Sequence, residues 1–131
     1  MKIAPTIARY LMALIFTVFG LNGFLHFIPQ PPPPEPLAIQ YITVMAVSHY
    51  LVLVFLIQLV SGILLFANRF VPLALVLLAP VIVNILLFHG LMNPEGIGVG
   101  ALVAILWVVL FVSFRGAFTG IFQAKPVPQA A

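Results

Sequence analysis

Only seven side chains in this sequence carry a formal charge, and where they fall limits the fold more than any other feature: Lys2, Arg9, Glu35, Arg69, Glu95, Arg115 and Lys125. Long apolar runs separate them. Hydrophobic residues make up 64% of the chain and charged residues 5%. Soluble domains carry about 25% charged residues. A soluble fold of 131 residues could not cover so much apolar surface. The reading is therefore an all-α integral membrane protein whose partner is the lipid bilayer. The length allows a single membrane domain, 1–131.

A span needs about 20 apolar residues to cross roughly 30 Å of hydrocarbon. Four spans are expected, at about 7–27, 49–67, 72–89 and 99–118. Pro72 suits the first turn of the third. The apolar stretch before the second span is too long for one crossing, since residues 37–67 would reach about 46 Å at 1.5 Å per residue. Residues 37–48, which include Gln40, Thr43 and Ser48, then form either a short helix at the interface or a projecting or tilted extension. Lys2 and Arg9 precede the first run as they would in a signal peptide. That run is too long for such a peptide and no small-x-small cleavage site follows, so a retained span is expected.

With four spans, all five basic residues fall on one side and both acids on the other. The positive-inside rule then places both termini in the cytoplasm and the loop 28–48 outside. In a bacterium the membrane would be the inner (plasma) membrane. Several function classes drop out. The net charge of +3 comes from scattered bases that make no nucleic-acid patch. The absence of cysteine excludes dithiol chemistry and thiolate metal sites. Ser48, Ser61 and Ser113 lack a suitably spaced base, so no stand-alone enzyme is expected. With no buried charge expected, the chain is also expected to be a poor ion pathway.

The polar side chains gather toward the outer side. His26 ends the first span, with Asn22 one turn below on the same face. His49 starts the second span, with Gln58 about 13 Å below it, and His89 ends the third, with Asn84 about 7 Å below, at 1.5 Å per residue. If the helices pack together, these six could line a polar pocket open to the outer face. Alternatively each bonds locally to a neighbouring helix or to loop backbone, at about 0.6 kcal/mol apiece. Asn84 and His89 are offset by about 140° around their helix, which counts against a single narrow face. The three histidines show no close pair of the H-x-x-x-H kind, so no metal site is expected.

Six prolines fall between Pro29 and Pro36. As a polyproline II segment they would span about 22 Å at 3.1 Å per residue, enough for a stiff lid or spacer across a small bundle, or a docking edge. Pro80 favours a kink in the third span. Gly20, Gly23 and Gly62 offer close helix approach.

The stretch "VFGLNGFLHFIP", the proline-rich loop and "NRFVPLALVLLAPVIVNILLFH" together resemble the DoxX family of small four-helix membrane proteins, over roughly residues 9–114. The resemblance implies a four-helix transmembrane bundle. The family's founding members are linked to thiosulfate:quinone oxidoreductases, and relatives to redox-associated membrane complexes. Many relatives carry an acid in the second span where this chain has Gln58, often with a lysine one turn earlier, where Val54 and Phe55 stand here. Gln58 hydrogen-bonds but cannot titrate, so a proton relay through that ionic pair is not expected. The resemblance implies a redox-linked accessory protein that binds a quinone-like or other lipophilic ligand near the outer face. Asn22, His26, His49, Gln58, Asn84 and His89 would supply its polar contacts. The alternative is a non-catalytic structural subunit of a larger respiratory or photosynthetic membrane complex.

Overall fold

A computed structural model describes residues 2–130. Five α-helices follow one another: α1 (Ile3–Leu25), α2 (Pro36–Val47), α3 (Tyr50–Ala67), α4 (Val71–Leu91) and α5 (Ile97–Ser113). Short 3₁₀ turns occupy Pro94–Gly96 and Arg115–Phe122. Among the described residues there is no strand. α1, α3 and α4 are long and apolar enough to cross a membrane, as is α5 taken with the turn before it.

α1 begins at Ile3, four residues before the expected start, because Pro5 is tolerated in a first turn. It stops at Leu25, where His26 takes a left-handed conformation with φ 53°. α5 stops at Ser113, short of 118. Beyond it Gly116 and Gly120 weaken helix propensity, and the chain tightens into the 3₁₀ turn.

The overlong apolar stretch resolves into α2, a separate helix of 12 residues. Pro36 opens it, where the missing N–H costs nothing. Ala38 is fully buried and Tyr41, Ile42 and Met45 are half-buried, a spacing that lays one stripe against the bundle. His49, left-handed at φ 61°, breaks the chain between α2 and α3. A left-handed residue other than glycine costs roughly 1–2 kcal/mol. The break lets α2 turn aside while α3 crosses.

The four long helices close into a ring in the order α1–α3–α4–α5, with α5 returning to α1. One core cluster joins Ala8 and Met12 of α1, Leu65 of α3, Val71 and Leu75 of α4, Leu110 of α5 and Phe118 beyond it. The start of α1, the end of α3, the start of α4 and the end of α5 therefore share one end of the bundle. That end also carries all five basic residues, and the other carries Glu35 and Glu95.

α1 and α3 make the tightest seam. A Cβ on Gly20 would lie 2.8 Å from the Leu59 backbone nitrogen, and one on Gly62 would lie 2.7 Å from that of Thr17. Only glycine allows this approach. In a bilayer, where lipid tails are as apolar as leucine, such backbone contact is a main source of association. The seam buries the Thr17 and Ser61 hydroxyl oxygens, neither with a hydrogen-bond partner.

Arg9 stands over the basic end of this seam. Contrary to the expectation of no buried charge, it is only 8% exposed, and its guanidinium donates to the carbonyls of Leu65 and Phe66 at the end of α3. Those carbonyls belong to the last turn, which has few intrahelical donors, and a cation there also complements the helix dipole. The guanidinium carbon lies 4.3 Å from the centre of the Tyr10 ring, a cation–π contact. Across the ring of helices, Pro80 offers no N–H to the carbonyl of Val76. Close by, Trp107 of α5 donates its indole N–H to the Leu75 carbonyl at 2.9 Å. This accounts for a tryptophan at mid-depth: its one polar atom is spent on α4.

Candidate functional site

The six polar residues singled out by the sequence go to separate tasks, and no hydrogen bond joins any two of their side chains among the described residues. Asn22 is buried, and its Oδ1 accepts from the Ile28 N–H at 2.7 Å. Its own carbonyl accepts the His26 N–H at 2.9 Å. Asn22 thus closes the exit of α1 and fixes where the proline segment begins. His26 and His49 are exposed and sit at left-handed turns. Gln58 is buried on the face of α3 that bears Ser61 and Gly62, in the seam with α1.

His89 ends α4 and lies 3.0 Å through Nδ1 from the Asn93 carbonyl. A carbonyl only accepts, so Nδ1 carries the proton in this bond and Nε2 stays free. Gly96 lies flat against the imidazole, and a Cβ there would run into the ring. The histidine therefore shapes the turn into α5.

Asn84 is the exception. It is exposed on α4, and its amide nitrogen donates to the Tyr41 hydroxyl of α2 at 2.9 Å. The same hydroxyl lies 3.2 Å from the Asn84 amide oxygen. One turn on, Phe88 packs against the Tyr41 ring at 5.3 Å and against the His89 ring at 5.0 Å. The α2–α4 seam therefore brings together Tyr41, Asn84, Phe88 and His89. The 140° offset of Asn84 from His89 is bridged by Phe88 and by a residue from another helix.

Tyr41 is the residue that sequence reading misses. It stands inside an apolar segment, and only its spacing from Ala38 and Met45 hints that it faces the bundle. The seam offers a hydroxyl, an amide and aromatic faces. It can hydrogen-bond a neutral carbonyl or hydroxyl and stack a ring, and it brings no charge of its own. Among the described residues no group of three His, Asp or Glu side chains is placed to hold a metal.

Surface concavities lie elsewhere among the described residues. One, of about 140 Å³, is lined by Lys2, Ile3, Thr6 and Ile7. Another, of about 610 Å³, is lined by Phe111, Arg115, Gly116, Thr119 and Phe122. Compared with models of known families, with curated proteins and with solved structures, the chain matches none.

Proposed function

We propose that this protein is a DoxX-like, redox-linked accessory protein of a cell membrane, with both termini in the cytoplasm. It holds a quinone-like or other neutral lipophilic ligand at the outer mouth of the α2–α4 seam. The observation that carries this reading is the Tyr41–Asn84 pair. Two polar side chains bond each other on an exposed, otherwise apolar face, next to the Phe88 ring. Exposed polar groups at membrane depth are costly, so their presence there favours function. The pair can open to receive a ligand carbonyl, with the amide donating and the hydroxyl donating or accepting. The only charged side chains at this end are acidic, which favours a neutral ligand over an anionic one. Asn22 has its amide committed to Ile28 and Gln58 lies in the α1–α3 seam, so neither reaches this site.

The test is native mass spectrometry of the protein released gently from its own membrane, for the wild type and for Tyr41→Phe with Asn84→Leu. The wild type is expected to retain a defined small-molecule mass. The double variant loses two hydrogen bonds of about 1 kcal/mol each, equivalent to about thirtyfold weaker retention. His26→Ala leaves retention unchanged. A wild type that carries no small molecule but always carries a fixed set of protein subunits would reject the ligand reading in favour of a structural subunit.

A further inference from the structure

The larger concavity lies at the basic end of the bundle, where α5 gives way to the 3₁₀ turn Arg115–Phe122. Its inner wall is the ring of Phe111, the middle member of a column of aromatic rings. Trp107 stacks on Phe111 at 5.1 Å with the rings nearly parallel, and Phe111 meets the buried Phe118 at 4.9 Å. Trp107 is anchored in turn to the Leu75 carbonyl. The column therefore runs from mid-bundle toward the end of α5 and is held rigidly. Phe122, 72% exposed, forms the outer lip. Set into this apolar groove are one exposed cation, Arg115, and one hydroxyl, Thr119. Gly116 leaves the floor open, since a Cβ there would meet nothing within 4 Å.

We propose that this groove binds one anionic diacyl phospholipid, with the headgroup phosphate on Arg115 and an acyl chain along Phe111 and Phe122. Three observations converge on that occupant. The groove continues the lipid-facing surface of α5, where Ile105, Val108 and Val112 are exposed. Its single charge is positive, and both acidic side chains of the chain lie at the opposite end of the bundle. It is an open, shallow depression with mostly apolar walls, which suits a lipid lying along the bundle better than a free phosphate. Arg115 offers a planar fork suited to phosphate oxygens. Thr119 gives its hydroxyl proton to the Gly116 carbonyl at 3.1 Å, which leaves only oxygen lone pairs on its side chain to offer. It therefore adds no second phosphate donor, and Arg115 alone sets the preference for an anion.

The test uses the full chain in an uncharged detergent. Equal amounts of dioleoyl phosphatidylglycerol and dioleoyl phosphatidylcholine are added, and bound lipid is read by native mass spectrometry. One phosphatidylglycerol is expected to remain bound with about a fivefold preference, the size expected of one basic residue near an anionic headgroup. Arg115→Gln removes the preference, whereas Arg69→Gln on the α3–α4 turn keeps it. Gly116→Leu fills the floor and lowers retention of both lipids, and inorganic phosphate in the millimolar range displaces neither. Three results would overturn the proposal: equal loss of preference in both arginine variants, which means a diffuse surface field; preference that survives Arg115→Gln; or displacement by free phosphate, which means a simple anion site.

Discussion

Gly62→Leu is expected to destabilise the bundle by about 3 kcal/mol or more, the upper part of the range for overpacking a close-packed site. The obstacle is backbone. The new side chain would meet the Thr17 main chain, with the nitrogen 2.7 Å from the Cβ position, and helix backbone cannot rotate aside as a side chain can. α1 and α3 must then separate, and Gly20 against Leu59 separates with them. Gly20→Leu should therefore behave alike, and the two together should cost less than their sum because they break one seam. Gly90→Leu is the control. A Cβ at Gly90 meets nothing within 4 Å, so its effect should stay within about 0.5 kcal/mol. The midpoint of unfolding in mixed micelles of increasing dodecyl sulfate content reads all three. Equal midpoints for Gly62→Leu and Gly90→Leu would show that the seam is not close-packed.

Arg9→Met should cost about 2 kcal/mol, the scale of hydrogen bonds from a charged donor. Methionine keeps most of the aliphatic stem but removes the charged donor from both carbonyls, so Leu65 keeps only the Asn68 amide and Phe66 loses the guanidinium. The last turn of α3 also loses the cation that complements its dipole. Arg9→Lys should recover only part, because an ammonium lacks the planar fork that reaches two carbonyls at once. The damage should be local first. The Asn68 and Arg69 amides, bonded back to Leu65 and Leu64 at 3.2 and 3.1 Å, should exchange with solvent faster while the amides of α4 keep their protection. Uniformly faster exchange across all helices would instead mean that Arg9 holds the whole bundle rather than one helix end.

The crossings are legible in the sequence because charges punctuate them. Arg69 and Glu95 bracket α4 so closely that its ends could be placed within a few residues. Length alone shows that Leu37 to Ala67 is too long for one crossing, but it leaves a separate helix and a projecting or tilted one equally open; the left-handed break at His49 decides for α2. What sequence could not supply depends on long-range placement. Arg9 reads as a topological charge until α3 brings Leu65 beside it, 56 residues along the chain. Asn22 and His26 look like neighbours on one helical face, yet the helix ends at Leu25 and the left-handed turn at His26 sends the chain away. Asn84 gains a partner only because α2, packed on α3, carries Tyr41 within reach of α4, which the sequence of α2 does not announce. Trp107 lies at mid-depth, and the Leu75 carbonyl that receives its indole N–H lies on a different helix.

The proposed ligand seam at the outer mouth depends on the proposed orientation, four crossings with both termini in the cytoplasm. The chain contains no cysteine, so single substitutions report unambiguously. The most direct measurement labels Gln30→Cys, Asn68→Cys, Glu95→Cys and Gln123→Cys in intact cells with a membrane-impermeant maleimide. Positions 30 and 95 should react from outside, and positions 68 and 123 only after the membrane is permeabilised. Reaction of 68 or 123 from outside, or of 30 and 95 from opposite sides, would contradict the four-span orientation and the outer-face site built on it.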